Sequence, residues 1–240
     1  MKRKKIFYEH DEYTGISIGL EYEKYLYHCQ SKYQKIEVIK TSHYGNAMYL
    51  DGCFMLAEKN IDFYHDKCLS LVPKNTKNIL IIGGGDFALA STLTNNTKIR
   101  SVDIVEIDRK VIEVSKRYFS KYFKFPRNKR KIHNLIIEDG MKYVKESNKI
   151  YDCIIIDSTD PIGQAKVLVS KIFIKKCYEH LSKTGLVIHQ SGSPVKDMNK
   201  IIRPLCKKYK EVGFKNIKSH YFSMPLYPTG TWSFMTAERA

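Results

Sequence analysis

Residues 78–86 read Asn-Ile-Leu-Ile-Ile-Gly-Gly-Gly-Asp, and this stretch decides the fold of the chain. Its four consecutive aliphatic residues are typical of a strand that is buried on both faces of a parallel sheet. The three glycines can turn the chain sharply, and because glycine has no Cβ, a ligand can approach the backbone N–H groups that begin the next helix. We expect Asp86 to be the N-cap of that helix, so the stretch predicts a strand, a ligand-binding turn and a helix.

A second buried strand is predicted at residues 101–107. It carries Glu106 near its end, and Asp108 follows directly. Nucleotide-binding folds place the acid that binds a ribose about twenty residues after the glycine turn. The turn and the acid together predict an adenosine site, although ordinary strand-to-helix turns also use glycine and surface helices also begin with acids.

The order of predicted elements indicates two kinds of sheet. From residue 77 onward strands alternate with helices, which is typical of a doubly wound parallel sheet. Before residue 73, short segments rich in Tyr, Ile and Val are separated by the turn sequences Tyr44-Gly45-Asn46 and Asp51-Gly52, which favours an antiparallel sheet. We therefore predict an α/β protein: a nucleotide-binding, methyltransferase-like Rossmann doubly wound sheet at residues 75–240, with a small N-terminal antiparallel β domain at residues 1–74.

The individual elements are predicted as follows. The strands of the first domain are 16–20, 25–30, 35–41 and 47–50, and a helix follows at 60–71. The strands of the second domain are 78–82, 101–107, 134–138, 151–157, 185–190, 215–222 and 231–237. The helices between them are 87–95, 109–119, 141–146, 170–181 and 197–209. The last two strands form the terminal pair with which the methyltransferase form of the fold ends.

Charge and cysteine usage narrow the class of protein. The 240 residues carry 41 Lys and Arg against 25 Asp and Glu, which gives a formal net charge of +16. The basic residues are spread along the chain, whereas a nucleic-acid reader would cluster them, so we do not expect nucleic acid as a partner. The six cysteines lack zinc-site spacing, and we find no secretory or membrane-spanning segment. These features predict reduced thiols and a cytoplasmic protein.

Acidic residues follow the predicted parallel strands, at the edge where ligands bind in such sheets. They are Asp86, Glu106, Asp108, Asp139, Asp157 and Asp160. Several carboxylates in one crevice favour a cationic ligand, because burial without a counter-charge raises their pKa values. The alternative is that they cap helices, which suits Asp86, suits Asp139 less well and suits Asp157 and Asp160 poorly.

At these positions the sequence resembles the polyamine aminopropyltransferases, of which spermidine synthase is the usual member. The resemblance extends from about residue 33 to residue 238. The matching stretches are Tyr33-Gln34, Tyr44-Gly45-Asn46, Leu50-Asp51-Gly52, Tyr64-His65, Gly83-Gly84-Gly85-Asp86, Val105-Glu106-Ile107-Asp108, Glu138-Asp139-Gly140, Asp157-Ser158-Thr159-Asp160-Pro161-Ile162-Gly163 and Tyr227-Pro228-Thr229-Gly230. The resemblance implies that decarboxylated S-adenosylmethionine is the co-substrate and that its aminopropyl group moves to an amine such as putrescine. It implies no metal and no further cofactor.

The resemblance also assigns roles to residues. It implies that Asp157 is the base that takes a proton from the attacking amine, with Tyr64 as its hydrogen-bonding partner. The implied polyamine-binding residues are His65, Asp86, Asp160 and Tyr227. The implied donor-binding residues are Gln34, Gly83, Gly85, Asp86, Glu106, Asp139 and Gly140. Asp86 is in both sets because it would pair with the amino group of the donor's aminopropyl arm. The resemblance further implies a homodimer, and we expect the strand at residues 35–41 to be an exposed edge that favours pairing with a second copy.

The sequence departs from the family pattern at four places. Phe87-Ala88 replaces two glycines after the glycine turn, which we expect to put bulk beside the donor's arm. Gln164 replaces a proline in the loop after Asp157. Asn60-Ile61 replaces an acidic pair and Val195 replaces a tryptophan, both in segments that shape the acceptor pocket of the family. These last two changes predict a wider pocket with loose affinity for putrescine.

Two other functions stay open at this point. The chain could be an S-adenosylmethionine-dependent methyltransferase, acting on RNA given its charge, or a catalytically weakened polyamine-binding homologue. Against the first, Asp86 would face the carboxylate of intact S-adenosylmethionine. Against the second, Asp157, Asp160, Tyr64 and Glu106 are present together.

Overall fold

The computed structural model describes residues 5–59, 61–122, 132–161 and 163–239. In these residues the strands form two sheets, one of five strands and one of seven. The predicted α/β class is confirmed, with an antiparallel sheet ahead of a mixed sheet that is flanked by helices. The five-stranded sheet ends at Ala57 and the seven-stranded sheet begins at Asn78. The domain boundary at residue 74 stays a prediction.

The five-stranded sheet is a simple antiparallel meander in chain order. Its strands are β1 (Lys5–Asp11), β2 (Ile16–Gln30), β3 (Lys35–Thr41), β4 (Asn46–Leu50) and β5 (Cys53–Ala57). Sequence reasoning missed β1 and β5 and divided β2 in two. For β1 and β2 the reason is that the alternation of apolar and polar residues is weak where both faces of a strand are partly exposed. The expectation that residues 35–41 form an edge strand is wrong, since β3 is the central strand and β1 and β5 are the edges.

The seven-stranded sheet runs in the order β11-β12-β10-β9-β6-β7-β8. Its strands are β6 (Asn78–Gly83), β7 (Ser101–Glu106), β8 (Ile132–Ile137), β9 (Tyr151–Asp157), β10 (Leu181–Gly192), β11 (Lys215–Ser223) and β12 (Thr231–Glu238). The strands from β10 to β8 are parallel, while β12 is antiparallel to both of its neighbours. This order confirms the predicted doubly wound sheet and its antiparallel terminal pair.

Helices cover both faces of this sheet. They are α1 (Ile61–Leu71), α2 (Ala88–Asn95), α3 (Arg109–Tyr118), α4 (Gly140–Glu146), α5 (Lys171–Glu179) and α6 (Arg203–Val212). Two hydrophobic clusters form, one on each side, and the aliphatic run of β9 contributes to both with Ile154 and Ile155 fully buried. Each such side chain contributes about 1.5–3 kcal/mol on burial, which explains why β6 and β9 are uninterrupted aliphatic runs.

The helix after the glycine turn begins one residue later than predicted. Its N-cap is Phe87, with φ of 64°, and Asp86 lies just before it. The Asp86 carboxylate still serves the helix start, because its Oδ1 accepts a hydrogen bond of 2.8 Å from the Ala88 N–H. The Phe87 side chain is 2% exposed and packs in the hydrophobic cluster below the turn. The expectation that it puts bulk beside the donor's arm is therefore wrong.

The five-stranded sheet packs on the same end of the larger sheet where the glycine turn lies. Ile36 and Val38 of β3 join Ala88 of α2 and Val111 and Val114 of α3 in one hydrophobic cluster. The first sheet thereby covers the carboxyl ends of β6 and β7. This contact creates an enclosed space at the edge of the parallel sheet where ligands bind.

All six cysteines are free thiols. Of the helices in the described ranges, none combines the length and the apolar character needed to cross a membrane.

Candidate active site

A cavity of about 650 Å³ lies between the two sheets. This volume is in the range of sites that bind drug-sized or nucleotide-sized molecules. Every site residue named from the sequence lines it: Gln34, Tyr64, His65, Gly83, Gly85, Asp86, Glu106, Asp139, Gly140, Asp157, Asp160 and Tyr227. The fold thus brings all of the predicted residues to one place, although the roles given to them stay proposals.

The glycine turn is held tightly against the end of β9. Gly83 has φ of 88°, and a Cβ added there would lie 2.1 Å from the carbonyl oxygen of Asp157. That same oxygen accepts a hydrogen bond of 3.0 Å from the Gly84 N–H. At Gly85 a Cβ would lie 2.9 Å from Oε2 of Glu106. Any side chain at Gly83 would therefore collide with the backbone of Asp157, and any side chain at Gly85 would collide with the carboxyl group of Glu106.

Glu106 lies at the end of β7 with 8% of its surface exposed. Its Oε1 accepts a hydrogen bond of 2.8 Å from the Asp108 N–H, which fixes the carboxyl group toward the glycine turn. Burial raises the pKa of Glu106 to about 7. A buried carboxyl of this kind is stabilised by a ligand that donates hydrogen bonds to it, as the hydroxyl groups of a ribose can.

Two further predicted site residues are fixed by their neighbours. The Gln34 side chain donates a hydrogen bond of 3.2 Å to Oδ2 of Asp108, which ties the segment between β2 and β3 to the residue that caps α3. Asp139 is the N-cap of α4, and its Oδ1 accepts a hydrogen bond of 2.9 Å from the Lys142 N–H. The view that helix capping suits Asp139 less well is wrong. Asp139 both caps the helix and lines the cavity beside Gly140.

The catalytic candidates form a pair in the middle of the cavity. The Tyr64 hydroxyl donates a hydrogen bond of 2.7 Å to Oδ1 of Asp157. Tyr64 is held by α1 and packs against Phe234, with 4.8 Å between the ring centroids. Burial, reinforced by the charge of Asp86, raises the pKa of Asp157 to about 6. A carboxylate with this pKa remains ionised at neutral pH and is a stronger proton acceptor than an ordinary Asp.

His65 and Asp86 lie next to this pair. The His65 Nε2 atom is 3.7 Å from Oδ2 of Asp86, and His65 is 7% exposed. Because the other Asp86 oxygen is engaged with the Ala88 N–H, Oδ2 is the oxygen directed toward His65. Asp86 and Asp157 together make this part of the cavity attractive to an ammonium group.

The far end of the cavity is also acidic, and sequence reasoning found only part of it. Asp160 was named, and burial raises its pKa to about 6 against the opposing effect of Lys196. Glu9 and Asp11 of β1 also line this end and were missed, as was Lys196. Burial raises the pKa of Glu9 to about 7, and its Oε2 accepts a hydrogen bond of 2.9 Å from the Phe54 N–H. No local motif marks these residues: Glu9 and Asp11 lie on β1, which was not predicted, and Lys196 lies after β10, far from both in the sequence.

Tyr227 lines the cavity wall between the pair formed by Asp86 and Asp157 and the acidic far end that contains Asp160. Its ring contacts Phe54 at 6.0 Å and Trp232 at 4.7 Å, both in edge-on geometry. Burial first, and then the charges of Asp160 and Asp157, raise the pKa of its hydroxyl. Its hydroxyl is therefore kept neutral and able to donate or accept a hydrogen bond.

The structure places two of the unusual positions, Val195 outside the cavity lining and Gln164 within it. Val195 is 63% exposed and is not a lining residue, whereas Lys196 lines the cavity. The expectation that Val in place of Trp widens the pocket stays a prediction. Gln164 does line the cavity. Asn60 lies outside the described residues, and the expectation about Asn60-Ile61 stays a prediction. Within the ranges that the structure describes, no group of three or more His, Cys, Asp or Glu side chains is arranged to hold a metal ion.

Comparison with known proteins gives the same family over the whole chain. Residues 62–240 match the model of the spermine/spermidine synthase domain, and residues 6–58 match that of the spermidine synthase tetramerisation domain. A polyamine aminopropyltransferase of Methanocaldococcus jannaschii is 37% identical over 230 residues, which cover 94% of this chain and 77% of the relative. One from Clostridium botulinum is 36% identical over 242 residues, covering 96% and 81%.

Solved structures agree with this assignment. A spermidine synthase in complex with the transition state analogue AdoDATO superposes with a TM-score of 0.89 at 27% identity, covering 98% of this chain and 80% of that one. The spermidine synthase from Thermotoga maritima gives a TM-score of 0.85 at 26% identity, covering 98% and 79%. The chain therefore belongs to the spermine/spermidine synthase family of polyamine aminopropyltransferases.

Proposed function

We propose that this enzyme transfers the aminopropyl group of decarboxylated S-adenosylmethionine to a diamine, with putrescine as the expected acceptor, giving spermidine and methylthioadenosine. The observation that carries the proposal is the Tyr64–Asp157 hydrogen bond of 2.7 Å, in a cavity with acidic groups on either side of it. The solved relative with a transition state analogue superposes over nearly the whole chain, which further supports the proposal.

In the proposed reaction the amine nitrogen attacks the carbon next to the sulfonium of the donor. A C–N bond forms, the C–S bond breaks, and the sulfur leaves as neutral methylthioadenosine. Alkyl amines are protonated at neutral pH, so a base must take a proton to free the lone pair, and Asp157 is that base. Its raised pKa of about 6 supports this role. Tyr64 orients the Asp157 carboxylate by donating to one of its oxygens.

The donor would lie along the glycine turn. Glu106 would accept hydrogen bonds from the ribose hydroxyls, Asp139 and Gly140 would lie at the adenine, and Gln34 at the thioadenosine end. Gly83 and Gly85 leave room for the donor beside the backbone. Asp86 would pair with the ammonium of the aminopropyl arm, and decarboxylation of the donor removes the carboxylate that Asp86 would repel.

The acceptor would enter at the far acidic end of the cavity, where Asp160 lies. His65 and Asp160 would hold the amine, and Tyr227 would line its channel. Alignment of nitrogen, carbon and sulfur in this enclosed space would supply much of the rate, together with carboxylates placed where ammonium charges lie. No further cofactor enters this scheme.

We also propose that the enzyme is a homodimer in the cytoplasm. The first sheet carries large exposed apolar side chains, among them Tyr8 at 61% and Ile6 at 43% exposed, which favours burial against another copy. The match of residues 6–58 to a tetramerisation domain supports self-association. Light scattering at micromolar concentration tests the number of copies, and a monomer would contradict this part of the proposal.

The test of the reaction is a substrate panel. The purified protein is incubated with decarboxylated or intact S-adenosylmethionine and with diamines of increasing length, and the products are identified by mass spectrometry. We expect an aminopropyl product and methylthioadenosine with the decarboxylated donor alone. A methylated product from intact S-adenosylmethionine would instead support the methyltransferase alternative. Binding of amines without any product would support a weakened polyamine-binding homologue.

A further inference from the structure

Lys196 brings a positive charge into a cavity whose expected ligands are themselves cations. It follows β10 in the segment after Val195, and its side chain is 19% exposed. Its Nζ lies 2.5 Å from Oδ2 of Asp11 and 3.9 Å from Oδ2 of Asp160. The ammonium therefore lies between a carboxylate of the first sheet and a carboxylate of the loop that follows Asp157.

The surroundings keep this lysine charged and in place. Burial lowers the pKa of Lys196, but the hydrogen bond to Asp11 and the charge of Asp160 outweigh it and raise that pKa overall. Burial also raises the pKa of Asp11, yet the hydrogen bonds from Lys196 and Thr14 bring it down to about 2. Asp11 and Lys196 are thus a fully ionised pair on the wall of the cavity.

A diamine that reacts at Asp157 must place its second ammonium elsewhere in the same cavity. The carboxylates of Asp11, Asp160 and Glu9 are the natural partners for that charge, since all three lie on the cavity wall. Lys196 already lies against Asp11 and Asp160, and its single positive charge offsets one of the negative charges at this end. Two ammonium groups a few ångströms apart repel each other strongly when water is partly excluded. The second ammonium of a diamine must therefore compete with the lysine for the same carboxylates.

We infer that Lys196 is the residue that sets acceptor choice in this enzyme: its tethered ammonium occupies the place of the acceptor's second ammonium and so removes the advantage of a diamine over a monoamine. The inference rests on the proposed aminopropyl transfer and specifies its acceptor class. The wild-type enzyme accepts primary amines with little regard to a second charge near Asp11 and Asp160.

The test compares putrescine with butylamine, which has the same four-carbon chain and one ammonium fewer. We measure kcat and KM for both amines in the wild type and in Lys196→Met. The variant should lower KM for putrescine about tenfold, because one opposing charge is removed and two carboxylates are released. It should leave kcat, the KM of the donor and the KM of butylamine within about twofold of the wild type.

Two control variants distinguish an effect on acceptor selectivity from a general structural effect of removing a lysine. Lys196→Arg keeps the charge and should keep the wild-type ratio of the two KM values. Lys149→Met removes a comparable lysine, whose Nζ donates 2.8 Å to the buried Asp103 away from the cavity, and should leave that ratio unchanged. If Lys196→Met fails to fold, Lys196→Gln is used, since its amide can still donate to Asp11 while lacking the charge.

Calorimetric titration of both amines into protein saturated with methylthioadenosine gives a readout that does not need turnover. Tighter binding of putrescine but not of butylamine in Lys196→Met supports the inference even if no product forms in the wild type, which would count only against the proposed reaction. An unchanged or weakened affinity for putrescine overturns it. An equal change for both amines also overturns it, because Lys196 would then be a structural link between β1 and the Asp160 loop.

Discussion

The two ends of the cavity are built in different ways. At the proposed donor end each carboxylate is fixed by a backbone N–H two or three residues away: Asp86 by Ala88, Glu106 by Asp108 and Asp139 by Lys142. At the acceptor end the contacts join distant parts of the chain. Lys196 pairs with Asp11 across 185 positions, and Glu9 is held by the Phe54 N–H.

The comparison shows at which end of the cavity a substitution can change the charge without disturbing the local fold. The carboxylates proposed to bind the donor are fixed by the same local geometry that forms the strand-to-helix turns, so altering one disturbs the fold of its own turn. The carboxylates proposed to bind the acceptor depend on side chains contributed by separate elements. A single substitution there can alter charge without altering a turn. Donor binding should therefore be robust and acceptor choice adjustable.

The largest expected effect is at Asp157, where the two ends meet. Asp157→Asn should lower kcat by about 10²- to 10⁴-fold, the loss typical of a general base, and leave methylthioadenosine binding nearly unchanged. Steady-state kinetics and calorimetry measure the two quantities. Asp152→Asn is the matched control at the other end of β9, where Oδ2 accepts from the Lys77 and Asn78 N–H groups. Near-normal turnover in Asp157→Asn would mean that another group is the base.

The next effect is the pH dependence of the rate. Asp157 must be ionised to accept a proton, and its pKa is raised to about 6, so protonation below that pH removes the base. At substrate concentrations well below KM, the rate should be level from about pH 7 to 8 and fall about tenfold for each unit below pH 6. Any acid limb that persists in the residual activity of Asp157→Asn belongs to the other buried acids of the cavity, which are Asp160, with a pKa of about 6, and Glu9 and Glu106, with pKa values of about 7. A rate that is constant from pH 5 to 8 contradicts the assignment of Asp157 as the base.

Donor selectivity is expected to depend on Asp86. The wild type should bind decarboxylated S-adenosylmethionine more tightly than the intact form, because Asp86 attracts an ammonium and repels a carboxylate. Asp86→Asn should reduce the ratio of the two dissociation constants about tenfold. This change corresponds to about 1.4 kcal/mol of binding free energy. Calorimetric titration of both donors into both proteins provides the measurement. Equal affinity of the wild type for the two donors would count against the aminopropyl reaction as a whole.

The smallest expected effect is on stability. Burial raises the pKa values of Glu9 and Glu106 to about 7 and those of Asp157 and Asp160 to about 6, so the folded protein holds protons that the unfolded chain releases near pH 4. The stability contributed by these groups is complete below pH 4 and is lost as the pH rises through 6 to 7. Millimolar putrescine should therefore raise the melting temperature of the ligand-free protein by about a degree or two more at pH 8 than at pH 5. Equal shifts at both pH values, with ionic strength matched, would contradict this.

The same contrast explains what could be predicted from the sequence. Strand ends followed by acids identify Asp86, Glu106, Asp139 and Asp157, because an aliphatic run fixes both the strand and the edge at which it ends. The doubly wound sheet follows from the same runs. Glu9, Asp11 and Lys196 could not be found in this way, since their proximity depends on how the first sheet docks onto the second.

Local details of the glycine turn were also beyond the sequence. A left-handed φ at Phe87 is uncommon for a bulky residue, so helix α2 was expected to start from Asp86. The structure keeps Phe87 there because its ring fills the hydrophobic cluster beneath the turn. Val195 was expected to shape the cavity from its place in the family pattern, and only the fold shows that Lys196 is the residue directed inward.

The hydrogen bonds of Asp108 predict which segments of the molecule unfold locally together. Its Oδ2 accepts a hydrogen bond of 2.6 Å from the Ser31 hydroxyl and one of 3.2 Å from the Gln34 side chain. Its Oδ1 caps α3 by accepting a hydrogen bond from the Lys110 N–H, and its own N–H donates to Glu106. Partial opening of the first sheet would remove two donors from this carboxylate and free the acid beside the glycine turn. The amides of residues 106–110 should therefore exchange with solvent in step with those of residues 31–38, as one cooperative unit. Contacts that order the outer surface of the first sheet would therefore also stabilise the end of the cavity at which the nucleoside is proposed to bind.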